Sequence, residues 1–337
     1  MIRPMRKSDG APAILAEGLG FDYGRERALD GVDLVVQPGE LFAILGPNGG
    51  GKTTLFRILA TLLAPARGRA AIFGHDLLRG AAEARRALGV MFQAPAIDRL
   101  LTVRENLDLQ GALYGIGGRV LVAEREALAR RFGLEEKMTA RAGTLSGGMQ
   151  RRLEIAKSLL HRPRLLLLDE PSTGLDPQAR AALWDALGDL ARRDGTTVAF
   201  TTHLLDEGDR AGRVAILDRG RIVALGEPER LKAEIGRQVL QLAPLPGEGD
   251  GEGLRADIER ITGCAVRAAG GRILVDAPDG ARLVPILAEA FGARIAAITL
   301  ARPTLFDVFL RKTGRGFEAQ EADAWPGQGD AARVAAP

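Results

Sequence analysis

Short apolar runs that end at glycine or at a charge recur along the first two thirds of the chain. Residues 41–45, Leu-Phe-Ala-Ile-Leu, lie between Gly39 and Gly46 and read as a strand buried on both faces. From Lys52 the spacing changes. Leu55, Ile58, Leu59 and Leu62 recur at three- and four-residue steps, which predicts a helix with one apolar face. Strand-like runs return at 165–168 and 197–200, and from 144 to 226 strand and helix alternate as a parallel sheet with crossover helices requires. Residues 14–75 predict a β-rich segment, and 81–140 predict helices separated by turns, 119–132 the clearest. Asp218-Arg219-Gly220-Arg221 reads as a hairpin turn.

Beyond residue 237 the pattern changes again. Runs at 238–242, 256–261, 265–267, 272–275, 283–291 and 295–300 read strand, helix, strand, strand, helix, strand. That order predicts a small ferredoxin-like α+β domain over 237–315. The glycine-dense stretch 247–253 reads as a loop inside it. Residues 302–310 predict an amphipathic last helix. Residues 316–337 lack periodicity and are expected to be disordered, and residues 1–13 read as an N-terminal tail.

Two glycine-rich loops carry the candidate chemistry. Gly46-Pro47-Asn48-Gly49-Gly50-Gly51-Lys52-Thr53 joins a strand to a helix in the G-x-x-x-x-G-K-T arrangement. Glycines leave the backbone N–H groups free to turn inward on phosphates, and the helix N-terminus adds partial positive charge. Lys52 supplies a full charge for the β- and γ-phosphates, and Thr53 a hydroxyl for Mg²⁺. About a hundred residues on, Ser146-Gly147-Gly148 opens a second helix. The leucine run 165–168 ends in Asp169-Glu170, at the sheet edge where ligands of open α/β folds sit. Asp169 is the candidate Mg²⁺ holder, and Glu170 the candidate base that orients and deprotonates a water. His203 follows a strand on the same edge, whereas His75 and His161 have no chemical company and read as surface or structural.

With these motifs in order, the chain resembles the ATP-binding subunit of an ABC transporter from about Ile14 to Gly236. The resemblance implies an α/β fold, a P-loop NTPase ABC cassette with a mixed core sheet, a β edge subdomain and a helical subdomain at about 94–162, followed by the small C-terminal α+β domain. It implies that Tyr23 stacks on adenine, an interaction of roughly 1–3 kcal/mol. Gln93 matches the glutamine that senses Mg²⁺ and the γ-phosphate, Asp176 the D-loop aspartate among the nucleotide-binding residues, and His203 a histidine reaching the γ-phosphate. Gly46, Asn48, Gly49, Gly51, Lys52, Thr53 and Thr54 match the phosphate loop. Ser146, Gly147 and Gly148 match a loop that faces the γ-phosphate of a second copy, so ATP would join two chains. Residues 302–310, Arg-Pro-Thr-Leu-Phe-Asp-Val-Phe-Leu, resemble the closing motif of the daunorubicin-resistance-like group of bacterial exporters. Gly50 departs from the family's usual serine or alanine but keeps its backbone N–H. Gly208 interrupts the helix after His203.

Composition narrows the partners. Hydrophobic residues make up 46% and charged residues 26% of 337, a balance for about two soluble domains. No apolar run approaches the length needed to span a bilayer, so if the protein moves a solute the pore must come from another chain; the resemblance implies a separate transmembrane permease subunit, with 94–106 the candidate contact. Net charge is only +3, and no nucleic-acid partner is expected. A single cysteine, Cys264, fits a reducing compartment. The expectation is an ATP- and Mg²⁺-dependent efflux ATPase, paired with a second copy of itself, cytoplasmic and peripheral on the inner membrane face. The alternative is a non-transport relative acting on ribosomes or DNA, whose members usually carry two cassettes or a long coiled coil between half-sites; an importer subunit is disfavoured by the closing motif.

Overall fold

A computed structural model describes residues 10–236, 238–245, 252–269, 271–277 and 279–314. The expected 1–9 part of the leading tail, most of the 247–253 loop and the 316–337 tail lie outside the described residues. The chain divides into two compact units, parting between Ile222 and Val223, earlier than the 236/237 boundary expected from sequence.

The first unit begins with antiparallel β1 (Ile14–Tyr23) and β2 (Glu26–Val36), followed by β3 (Leu41–Leu45) and helix α1 (Lys52–Leu59). Next come β4 (Arg67–Ile72), β5 (His75–Asp76), α2 (Ala81–Ala87) and β6 (Leu88–Met91). Helices α3 (Val103–Leu113), α4 (Gly118–Phe132) and α5 (Gly147–Leu159) precede β7 (Leu165–Asp169), α6 (Pro177–Asp194) and β8 (Thr197–Thr202). A four-residue helix, α7 (Leu205–Gly208), and β9 (Arg213–Asp218) lead into β10 (Arg221–Gly226), where the unit ends.

Two sheets result. One is antiparallel in the order β2-β1-β4-β5. In the other, β9-β3-β8-β7-β6 are neighbours and all run parallel. Helix α1 packs on β2 and β4 of the first sheet and on β7 of the second. That sandwiching buries Leu55, Phe56, Ile58 and Leu59 completely, each removal from water contributing about 1.5–3 kcal/mol. Leu62, expected on the same face, lies past the helix end and is 62% exposed. The hairpin turn out of β9 forms as expected. Arg219 and Gly220 both take positive φ, 47° and 75°, as a type I′ turn demands.

The second unit contains α8 (Pro228–Ala233), β11 (Gln238–Pro244), α9 (Glu252–Thr262), β12 (Val266–Ala269), β13 (Arg272–Ala277), α10 (Gly280–Phe291), β14 (Ile295–Ala301) and α11 (Leu305–Thr313). Its sheet runs β12-β13-β11-β14, antiparallel throughout; this is the ferredoxin-like order expected. Leu240, Leu242, Ile273 and Val275 meet Leu254, Ile258, Leu287 and Phe291 from α9 and α10 in a separate core. Thr304 and Asp307 close a capping box on α11. Helix α8 packs on α11, and Arg311 donates to the Glu234 carbonyl at 2.5 Å. Those contacts place residues from Val223 onward with this unit.

Candidate nucleotide site

The C-terminal edge of the parallel sheet gathers the candidate residues. β3 delivers the phosphate loop, β7 delivers Asp169 and Glu170, and β8, between them, delivers Thr201, Thr202 and His203. The loop is pressed against its neighbours. A Cβ at Gly46 would stand 2.1 Å from the Leu217 carbonyl oxygen, and Gly51, at φ 104°, would meet the Ala28 carbonyl at 2.5 Å. Gly51 caps α1 with no side-chain bond, so the first N–H groups of α1 have no side-chain acceptor there. Lys52 is 5% exposed and donates from Nζ to the carbonyls of Gly46 at 2.8 Å and Pro47 at 3.0 Å. Burial lowers its pKa, opposed by the nearby Glu170 and Asp169 carboxylates.

Glu170 holds a left-handed backbone, φ 48°, a conformation that costs a non-glycine residue about 1–3 kcal/mol. Its Oε1 lies 3.3 Å from His203 Nδ1 and 3.9 Å from Lys52 Nζ. Hydrogen bonding to His203 drives its pKa down to about 2; burial opposes this, while the His203 and Lys52 charges and the Gln93 side chain add to it. The carboxylate is therefore ionised across the physiological range.

Asp169 is 1% exposed. Its Oδ1 accepts from the Thr201 hydroxyl at 2.5 Å and lies 3.5 Å from the Thr53 hydroxyl. Its Oδ2 is buried and makes no hydrogen bond, a costly arrangement unless a cation uses that lone pair. These residues fit a magnesium ion. Among the described residues no cluster of three His, Cys, Asp or Glu could hold a metal by itself.

Tyr23, Asn48, the 49–54 segment, Gln93 and Glu170 line one cavity of about 470 Å³. Tyr23 is 44% exposed and packs edge-on against Phe21, ring centroids 4.9 Å apart. Ser146, Gly147, Gly148 and Asp176 are not on that wall. Ser146 and Gly147 are exposed at the start of α5, where the Ser146 hydroxyl accepts from Met149 N at 3.3 Å. Asp176, also exposed, caps α6 through Ala179 N at 2.8 Å. His161 stacks on Tyr114 at 3.8 Å and meets the Leu88 carbonyl at 2.7 Å, a structural role as expected.

Sequence reasoning missed several supporting groups. Thr201 both bonds Asp169 and accepts from Glu170 N at 3.0 Å. Glu207, 1% exposed, accepts from Ser172, from Thr202 at 2.5 Å and from Trp184 Nε1 at 3.4 Å. It thus braces the residue preceding His203, and burial pushes its carboxyl pKa up. Arg151 and Glu154 form a buried ion pair on α5 at 3.1 Å. The available signal was two opposite charges, three residues apart, in a stretch otherwise apolar at Leu153, Ile155 and Ala156.

The sequence profile of the ABC transporter family matches residues 29–173. A daunorubicin resistance ATP-binding protein of Streptomyces coeruleorubidus is 41% identical, the match covering 92% of this chain and 98% of that one. The chain belongs to the ABC transporter ATP-binding family. A Nod factor export ATP-binding protein of a Rhizobium species is 36% identical over 91% of this chain and 98% of its own. Matches of that extent cannot be confined to the cassette's first unit. Among solved structures, the ATP-binding subunit of an ABC transporter superposes with TM-score 0.60 at 30% identity, covering 66% of this chain and 92% of that one. Another cassette, 26% identical with TM-score 0.58 over 64% of this chain and 98% of that one, was solved as a dimer with ADP and phosphate. This cassette is an ATPase subunit. Among the described residues no helix is long and apolar enough to cross a membrane.

Proposed function

We propose that the cassette energises efflux through a separate membrane-spanning permease, working as a pair of copies that close on two ATP molecules at the inner face of the membrane. In this reading Lys52 and the backbone of residues 46–54 hold the β- and γ-phosphates, and Tyr23 stacks on adenine. Thr53 and Asp169 would hold Mg²⁺, with Gln93 beside them; when bound, the ion neutralises phosphate charge. Glu170 orients and deprotonates the attacking water, and His203, 3.3 Å from it, reaches the γ-phosphate.

Ser146, Gly147, Gly148 and Asp176 address the nucleotide held by the other copy. The observation that carries this reading is their position: all four are off the wall of the cavity that contains Lys52, with Ser146, Gly147 and Asp176 exposed and Gly148 half-buried. Loss of the γ-phosphate then weakens the seam, and that difference in affinity moves the permease. Export as the direction is supported by relatives whose names specify daunorubicin resistance and Nod factor export. The first unit carries the chemistry, and the second is an accessory domain.

Glu170→Gln keeps the size of the side chain and removes the base. With MgATP it is expected to accumulate a nucleotide-bound dimer in size-exclusion chromatography with turnover reduced at least about a hundredfold. Normal turnover in this variant would take the base role away from Glu170.

A further inference from the structure

Arg151 lies in α5, on the side of the helix turned away from solvent, and is 8% exposed. Its guanidinium donates from Nε to the Pro171 carbonyl at 3.0 Å, and from Nη2 to the carbonyls of Asp169 at 3.1 Å and Glu170 at 2.8 Å. Nη1 donates to the Phe92 carbonyl and to Glu154 Oε2, both at 3.1 Å. Glu154, 5% exposed, accepts from Ala96 N through its other oxygen at 2.7 Å. One pair of side chains therefore grips the backbone on both sides of Gln93 and three successive carbonyls around Glu170. Only a planar fork with donors on three nitrogens can do this; an ammonium is a single point of charge.

The grip falls where backbone is least content. Glu170, at φ 48°, is held from two directions, its N–H by Thr201 and its carbonyl by Arg151. Both gripping side chains belong to the helix that Ser146 opens. A rigid helix transmits a small displacement from its first residues to the guanidinium beyond them, and from there to the carboxylate-bearing segment.

We propose that Arg151 and Glu154 are positioning residues that couple the two ATP sites. Engagement of Ser146 with the other copy's nucleotide sets, through this pair, the placement of Glu170 and Gln93 in the chain's own site. The proposal rests on the two-copy reading above and goes beyond it by naming the link.

The test uses full-length chain and compares Arg151→Lys, Glu154→Gln and Ser146→Trp. A fluorescent ATP analogue measures affinity without Mg²⁺; steady-state hydrolysis against MgATP gives kcat, KM and the Hill coefficient. In Arg151→Lys we expect kcat to fall about tenfold to a hundredfold, the Hill coefficient to drop to one, and nucleotide affinity to stay within about twofold. Glu154→Gln, which leaves Arg151 its four carbonyls, shows the same pattern more weakly and serves if the lysine variant fails to fold. Unchanged kcat with cooperativity retained overturns the proposal. So does a parallel fall in kcat, affinity and thermal midpoint, which marks a purely structural pair. Normal hydrolysis by Ser146→Trp sinks the two-copy reading itself, separately from the Arg151 result.

Discussion

Helix α1 opens in the interior behind Gly51, with no side chain capping it, whereas α5 opens at the surface with Ser146 already bonded to Met149 N. Both starts are rich in glycine, yet their surroundings differ. Around α1 are a buried lysine, an ionised glutamate and an aspartate with one oxygen unpaired. That is a preorganised polar cavity, costly to leave without charge balance. The start of α5 has no acidic residue in its first turn, and its chemistry reaches inward instead through Arg151. Similar loop composition therefore sits in two settings: one start lines a polar cavity of its own chain, the other lies at the surface and is joined through Arg151 to the segment that carries Glu170.

The comparison breaks if the two starts respond alike to substitution. Lys52→Ala removes the buried charge and is expected to weaken ATP binding to the single chain on the order of a hundredfold. Ser146→Trp should leave that affinity within about twofold while hydrolysis is lost; equilibrium dialysis beside a phosphate-release assay reads both. Gly46→Ala should cost about 1–3 kcal/mol of stability in urea unfolding, because its Cβ meets the Leu217 carbonyl at 2.1 Å. Gly147→Ala, with nothing within 4 Å of its Cβ, should be near neutral in the same experiment.

The pH dependence sharpens the picture of α1's surroundings. Glu170 has a folded pKa of about 2, below its ordinary 4.5, so its contribution is fully present above 4.5 and is lost as pH falls toward 2. The stability gap between the parent and Glu170→Gln should shrink as pH falls from about 4.5 toward 2. A gap that does not shrink over that range would contradict a carboxylate held ionised in the fold. The smallest effect is at the start of α6. Asp176→Ala removes the cap of α6 and is expected to cost about 1 kcal/mol by urea unfolding, with nucleotide affinity of the single chain untouched.

Much of this was legible in the sequence because local pattern and tertiary role agree. Strands 41–45 and 165–168 are apolar on both faces since helices or the second sheet cover them, and the motifs sit at their ends. The ferredoxin-like order of the second unit was readable from alternating short strands and helices. What escaped reading depends on distance in the chain. Thr201 is an ordinary strand residue until β8 is laid between β3 and β7, which puts its hydroxyl 2.5 Å from Asp169. Arg151 reads as one more surface arginine among forty until five acceptors from three segments converge on it. Leu62 kept the helical spacing but fell beyond Ala60, where the chain leaves α1. The early division at Ile222 follows from α8 packing on α11, a contact between segments far apart in sequence.

The φ of 48° at residue 170 has a bearing on any effort to toughen this cassette. Substituting glycine there would relax the main chain and shed a penalty, while deleting the carboxylate proposed as the base. A purely thermal optimisation would thus be drawn toward glycine at that spot. Thermostability screens run on this molecule need a catalytic readout alongside melting.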